Sequence, residues 1–257
     1  SVNYVTLDSI AAPMRDKFVQ INRFLEIVRD AINEDGYLER KNAEPLRIID
    51  FGCGKSYLTF VLYHYLVNIL GIRVNMTGLD LKADVIAKCS AAAKRYGYDS
   101  LKFERGDIAE YDANAPADMV VTLHACDTAT DYALHNAVCR GARMILSVPC
   151  CQHELNGQIA TDRLKLITRY GIIKERFAAL MTDAIRANLL ESRGYKTQVL
   201  EFVDLSHTPK NLLIRAIKKR PALDNAGRIA LDEAKALMEE FSLEPTLYSL
   251  LYPHSAD

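Results

Sequence analysis

The residues best suited to chemistry fall in four short stretches: DFGCGKS (50–56), GLDL (78–81), TLHACDTATD (122–131) and SVPCCQHEL (147–155). In the first, an apolar strand runs into a turn and then a helix. Its two glycines, Gly52 and Gly54, let the backbone come close to a ligand, and the helix start points N–H groups at it. Asp80 closes the second strand, where one carboxylate can accept both hydroxyls of a ribose, and Leu81 beside it can pack on an adenine face. Asp107 and Ile108 close the third strand in the same way. Taken singly, each acid could be an exposed strand end or a helix cap. Three of them at the carboxyl ends of successive parallel strands point to the crevice where open α/β sheets bind ligands.

The third and fourth stretches end two further strands, and they bring His124, Cys126, Asp127, Cys150, Cys151 and His153 within reach of one another if those strands are neighbours. Such a set offers a base, a carboxylate and thiols. His124 or Asp127 could deprotonate or orient a hydroxyl or amine of the substrate. Cys126 with Cys150 or Cys151 could serve covalent catalysis. Zinc on His124, Cys126, Cys151 and His153 would need spacings tighter than the usual zinc motifs, so no metal is expected. Cys126 and Cys150 could also simply pack as small buried hydrophobes.

The elements that must position these residues alternate along the chain. An amphipathic helix over 15–33 carries Phe18, Ile21, Leu25, Val28 and Ile32 on one face. Strands are then expected at 46–52, 74–80, 101–107, 117–124 and 142–148, with helices at 56–70, 84–96 and 129–140 between them. This alternation implies a parallel sheet with helices on both faces. Beyond Pro149 a polar stretch, CQHELNGQ, leads to helices near 161–170 and 174–193. The runs 195–205 and 211–219 are joined by SHTPK, which is too short for a parallel crossover and demands an antiparallel hairpin. The sixth strand should run parallel to the first five. Its turn then emerges at the ligand edge, and His207, Lys210 and Asn211 are expected to face the substrate there. A solvated loop is the alternative. A last helix carries Ile229, Leu231, Ala234, Leu237, Met238 and Phe241. The expected divisions are an N-terminal helical cap (1–45), an α/β domain (46–219) and a C-terminal helical extension (220–257).

Composition narrows the class. The 257 residues hold 32 Lys and Arg against 33 Asp and Glu, a net charge of −1, so no global positive field draws in nucleic acid. A hydrophobic share of 49% is enough for a packed core and argues against disorder. No apolar run is long enough for a membrane span, and no secretory start is seen, which predicts a cytoplasmic protein without a membrane partner. The six cysteines lack the dense spacing of a disulfide framework, so reduced thiols are expected.

Two family resemblances follow. The position of the third dinucleotide-binding glycine is held by Tyr57, and the sheet is expected to end in an antiparallel hairpin, whereas nicotinamide-binding domains normally end parallel. The pattern resembles the Rossmann-like, seven-stranded fold of class I methyltransferases. More narrowly, DFGCGKSYLTF, GLDLKADV, LHACDTATDYAL and SVPCCQHEL together resemble the class I methyltransferase-domain family of bacteria and of eukaryotic proteins named for a ribosomal-RNA adenine dimethylase domain. The resemblance covers roughly residues 15–218. It implies S-adenosylmethionine as cofactor, with Asp50 on the methionine ammonium, Gly52 and Gly54 along the ligand, Asp80 and Leu81 on the adenosine, and Asp107 and Ile108 on the adenine.

Cys150, Cys151 and His153, with Thr130 and Asp131, are also similar to the Cys-Cys-x-His and Thr-Asp segments of the tRNA ribose 2′-O-methyltransferase of the acceptor stem. This implies RNA ribose or base as the methyl acceptor, with His124, Asp127, Cys150, Cys151 and His153 near the reaction. Ala125 departs from that enzyme's leucine, and its zinc-finger segments are not found here. A protein or small-molecule acceptor, a nicotinamide-dependent oxidoreductase and a non-catalytic S-adenosylmethionine-binding module stay open as alternatives.

Overall fold

The computed structural model describes residues 12–40, 44–111, 116–123, 125–159, 164–201 and 212–253. In chain order these form α1 (Ala12–Asp35), β1 (Leu46–Phe51), α2 (Tyr57–His64), β2 (Val74–Asp80), α3 (Ala83–Tyr96), β3 (Leu101–Arg105), β4 (Met119–Thr122) and α4 (Thr128–Cys139). They continue as β5 (Met144–Ser147), α5 (His153–Gln158), α6 (Lys165–Thr168), α7 (Gly171–Ser192), β6 (Tyr195–Glu201), β7 (Leu212–Lys218), α8 (Asn225–Phe241) and α9 (Thr246–Leu251).

The seven strands make one sheet in the order β3-β2-β1-β4-β5-β7-β6. The first five are parallel, and β7 runs antiparallel to both β5 and β6. The expected parallel sheet with a terminal antiparallel hairpin is therefore what forms, and β6 runs with the first five strands. The order reverses between β1 and β4, so the chain leaves these adjacent strands in opposite directions and opens a crevice at their carboxyl ends.

Residues of period two divide the sheet between two apolar layers. Ile48, Met119, Val121, Met144 and Leu146 face the layer shared with α1, α2 and α3. Ile49, Val120, Ile145 and Ile214 face the layer shared with α4, α7, α8 and α9. Among the described residues no helix is long and apolar enough to cross a membrane.

Several boundaries depart from expectation. The buried face of α1 holds Val28 and Ile32 as predicted and adds Phe24, Ile27 and Ala31, while Phe18 is 36% exposed; the helix packs over β5 and β7. A pairing of Glu34 with Arg215 of β7 at 2.7 Å fixes it there. Alpha geometry ends at His64, and a π-helical turn (Tyr65–Ile69) completes the second helix before left-handed Gly71. β3 stops at Arg105, two residues before its expected end, and β4 and β5 each begin two residues after their expected starts and end at Thr122 and Ser147. Of the helix read at 161–170, only Lys165–Thr168 is helical, and 160–163 lie outside the described residues.

The polar stretch after Pro149 contains α5, a helix without a side-chain cap of its own. Its first N–H groups are received by Asp127, from another loop. A cap supplied across the fold leaves no trace in the local sequence. Glu154 of α5 in turn accepts the Thr246 hydroxyl at 2.5 Å and backbone N–H at 3.1 Å, tying it to α9. Ile229 of α8 is 60% exposed, and Ala230, Leu231, Ala234 and Met238 make its buried face.

Candidate active site

The turn after β1 is held by β2. The N–H groups of Gly52 and Cys53 both donate to the carbonyl of Leu79, at 2.9 and 3.0 Å, and Gly54 N–H donates to Asp80 Oδ2 at 2.9 Å. Gly52 and Gly54 adopt left-handed φ angles of 68° and 52°, which is why glycine suits both positions. The N–H of Lys82 donates to Asp80 Oδ1 at 2.9 Å. Each Asp80 oxygen thus already accepts one backbone donor and keeps a second lone pair for a ligand hydroxyl.

Asp50 lies beneath this turn and is only 3% exposed. Thr59 Oγ1 donates to its Oδ2 at 2.5 Å, while no described group donates to its buried Oδ1. Burial pushes the Asp50 carboxyl up to about 7 against the Thr59 hydrogen bond, and the nearby Asp80 charge adds to the rise. A buried, half-satisfied carboxylate beneath a glycine turn is suited to a cationic partner such as an ammonium. Leu81 is 60% exposed beside Asp80. Asp107 is exposed, with its Oδ1 taken by Ala109 N–H at 2.9 Å. Ile108 is half-buried, and Asn136 holds its carbonyl at 2.9 Å. The seven residues predicted for the cofactor therefore occupy the carboxyl ends of β1, β2 and β3.

The loops after β4 and β5 meet, as their pairing in the sheet requires. Asp127 has φ 53° and ψ −126°, a strained conformation for a residue with a side chain. Its Oδ1 accepts the N–H groups of His153 at 2.8 Å and Glu154 at 3.1 Å. Its carbonyl accepts from Arg186 Nη2 at 3.0 Å. Asp127 is thus a clamp between two loops, with one oxygen committed to backbone donors.

Arg186 is 2% exposed. It makes two bonds to Asp131, at 2.9 and 2.7 Å, and one to Asp183 at 3.2 Å. Gln152 Nε2 donates to the other oxygen of Asp183 at 3.1 Å. Asp131 neutralises the guanidinium most directly, so burial dominates at Asp183 and raises its carboxyl to about 6 against the pull of Arg186. Thr130 is buried too and donates to the Ala125 carbonyl at 2.7 Å. Thr130 and Asp131, which carried part of the RNA resemblance, are therefore built into the support of the loop.

The sulfur atoms of Cys126, Cys150 and Cys151 lie within 4.8 Å of one another, and Cys126 and Cys150 are 3.0 Å apart. Cys126 is exposed, which does not fit the reading that it packs as a buried hydrophobe. Burial pushes the Cys150 thiol up to about 12, with Cys126 and Cys151 adding to the rise, so Cys150 is not poised as a thiolate nucleophile. The ring of His153 is not part of this cluster; its backbone is what the site uses. His124, His207, Lys210 and Asn211 lie outside the described residues. The chain leaves β6 and enters β7 at the carboxyl edge, as the antiparallel register requires.

Sequence reasoning missed two features. Arg186 and Asp183 sit on a helix whose pattern resembles any amphipathic helix, and two internal charges at an i, i+3 spacing were the only available signal. Thr122 and Ser147 pair in register at the ends of β4 and β5, both buried, with hydroxyl oxygens that no described group reaches.

A family profile described as a methyltransferase domain matches residues 16–158, more than half of the chain. No curated protein matches the sequence. Among solved structures, the CMeT domain of the citrinin polyketide synthase is 19% identical with a TM-score of 0.47, over 82% of this chain and 58% of that one. Magnesium protoporphyrin IX methyltransferase from Synechocystis PCC 6803, with S-adenosylmethionine bound, is 14% identical over 82% of this chain and 85% of that one, at a TM-score of 0.46. A Podospora anserina methyltransferase with bound S-adenosylhomocysteine is 15% identical over 82% and 81%, also at 0.46.

Proposed function

The chain belongs to the methyltransferase-domain family, and we propose that it transfers a methyl group from S-adenosylmethionine to RNA, on a ribose or a base. The observation that carries the methyl-donor half is Asp50, whose buried Oδ1 has no donor among the described residues. An ammonium is the group that would satisfy it. The same turn exposes Gly52 and Gly54, and Asp80 keeps one acceptor site on each oxygen for ribose hydroxyls. Leu81 offers an apolar face for the adenine, and Asp107 and Ile108 close the far side.

S-adenosylmethionine supplies an electrophilic methyl on a sulfonium, which leaves as a neutral thioether when an acceptor lone pair attacks in line. The chain's own task is to hold donor and acceptor in that line and to keep water out. The loops after β4 and β5 form the wall beside the crevice, and Asp127 and Arg186 keep that wall in one arrangement. His124 is the base we assign to an acceptor proton, on its chemistry and its place after β4. His207, Lys210 and Asn211 are assigned to the acceptor, on the turn between β6 and β7. The RNA assignment rests on the likeness of the Cys-Cys-x-His segment, and a chain of net charge −1 calls for a local basic contact such as Lys210.

The test is transfer of labelled methyl to total RNA, protein and small-molecule pools from cells lacking the protein. Label in RNA, with turnover that weakens as salt rises and in Lys210→Ala while cofactor affinity stays intact, supports the reading. Label in protein or metabolites alone overturns the RNA half. No label in any pool despite tight cofactor binding would favour a non-catalytic binding module.

A further inference from the structure

The thiols of Cys126, Cys150 and Cys151 come from two loops more than twenty residues apart in sequence, yet their sulfur atoms all fall within 4.8 Å of one another. In a tetrahedral zinc site, Zn–S bonds of about 2.3 Å place sulfurs about 3.8 Å apart. The observed separations, 3.0 Å for Cys126–Cys150 and no more than 4.8 Å for any pair, lie on either side of that value. No disulfide joins them.

The backbone beneath them is fixed from several directions. Asp127 holds the start of α5, just after Cys151, at 2.8 Å. Thr130 holds the carbonyl of Ala125, just before Cys126, at 2.7 Å. Arg186 holds the carbonyl of Asp127 at 3.0 Å. Strain at Asp127, an internal ion cluster and a cross-loop clamp all converge on the segment that carries the sulfurs. Such outer support is what orients metal ligands.

We propose that Cys126, Cys150 and Cys151 form a three-thiolate site for a soft divalent cation of the zinc type, at the carboxyl edge of β4 and β5. Binding replaces three S–H protons, which pass to solvent, by three metal–sulfur bonds; nothing is oxidised or reduced. With His153 outside the cluster, the described residues supply three ligands, and Cys126 is exposed to solvent. The zinc set weighed from the sequence, His124, Cys126, Cys151 and His153, has local spacings tighter than usual zinc motifs, whereas the fold gathers Cys126 of one loop with the Cys150–Cys151 pair of the other. The site stands whether or not methyl transfer is the reaction.

The test uses the full chain, reduced and stripped with a chelator, then titrated with Co2+ and with Zn2+ in competition against a chromogenic chelator. One equivalent should bind, with a thiolate-to-cobalt charge-transfer band. Cys126→Ser, Cys150→Ser and Cys151→Ser should each weaken binding at least as much as the 10–100-fold that outer-shell changes alone cause. Cys139→Ser should have no effect.

In the unaltered protein, Zn2+ should slow alkylation of these three cysteines at least about tenfold, read residue by residue by mass spectrometry, while exposed Cys139 reacts as before. That arm does not depend on any variant folding. Absence of the cobalt band in the reduced protein, a bound metal that survives all three substitutions, or alkylation that Zn2+ leaves unchanged would each overturn the proposal. S-adenosylhomocysteine binding, measured calorimetrically on the same samples, separates this failure from failure of the methyl-donor assignment.

Discussion

Asp127 Oδ1 receives the backbone N–H of His153 at 2.8 Å, across the gap between the loops that follow β4 and β5. One carboxylate oxygen thereby starts α5, joins two loops and sets the positions of the thiols on either side. The residue doing this is itself held at φ 53°, a conformation that costs about 1–3 kcal/mol. The clamp must outweigh that strain.

Removing the carboxylate should therefore show the balance. Asp127→Ala should lower stability in urea unfolding by about 1.5–3 kcal/mol, the range for hydrogen bonds to a charged group. Asp127→Gly should be less damaging than Ala, because it loses the same bonds while relieving the strain. If Gly and Ala prove equal, backbone strain is not part of the balance at this position.

Arg186 offers a harsher test. With Asp131 and Asp183 both within 3.2 Å and all three side chains buried, Arg186→Met strands two carboxylates. A loss of about 3–5 kcal/mol is expected. Asp183, whose carboxyl burial already raises to about 6, then loses the cation that held it down, so its protonated form favours the fold: stability should be regained as pH falls and lost as it rises. A stability loss that is the same at pH 5 and pH 8 would count against the cluster as described.

Asp50 should tie cofactor affinity to pH. Its folded pKa is raised from 3.8 to about 7, so its contribution to stability is fully present below about 4 and is lost as pH rises through about 7. An ammonium ligand needs the ionised form. Affinity for S-adenosylhomocysteine should therefore rise about tenfold per pH unit up to about 7 and flatten above it, with proton release on binding. Asp50→Asn should be more stable than the native chain at pH 8 and should bind weakly with no such slope. Calorimetry in buffers of different ionisation enthalpy measures the proton count directly, and zero protons released at pH 6 would remove Asp50 from the ammonium.

At Asp80 the structure adds a second consequence of substitution. Asp80→Ala should weaken S-adenosylhomocysteine binding by about 1.5–3 kcal/mol, and it should also free the N–H of Gly54 that Asp80 now holds. Faster hydrogen exchange at Gly54 should accompany the weaker binding. Unchanged affinity in this variant would show that the ribose is held elsewhere.

The sheet and its ligand edge were legible in the sequence because they follow from local rules. Ile48 and Ile49, or Val120 and Val121, alternate between two apolar layers simply by succession along a strand. Gly52 and Gly54 mark a turn that needs left-handed backbone, and Asp50, Asp80 and Asp107 follow from where strands end. The antiparallel hairpin followed from a connection too short for a crossover. Each is fixed within about ten residues of chain, where spacing and side-chain type suffice.

What only the tertiary structure decided lies between residues far apart in sequence. Arg186 meets Asp131 across 55 residues, and Asp127 meets His153 across 26. These meetings required β4 to lie beside β5 and α7 to pack beneath both loops. The same reason makes Asp127 a clamp between the two loops and builds Thr130 and Asp131 into the support of the loop. It also decided which of the residues expected to meet there do so, gathering the three thiols without the ring of His153. A side chain's partner is set by strand order and helix packing, and for charged or thiol groups the partner determines the chemistry.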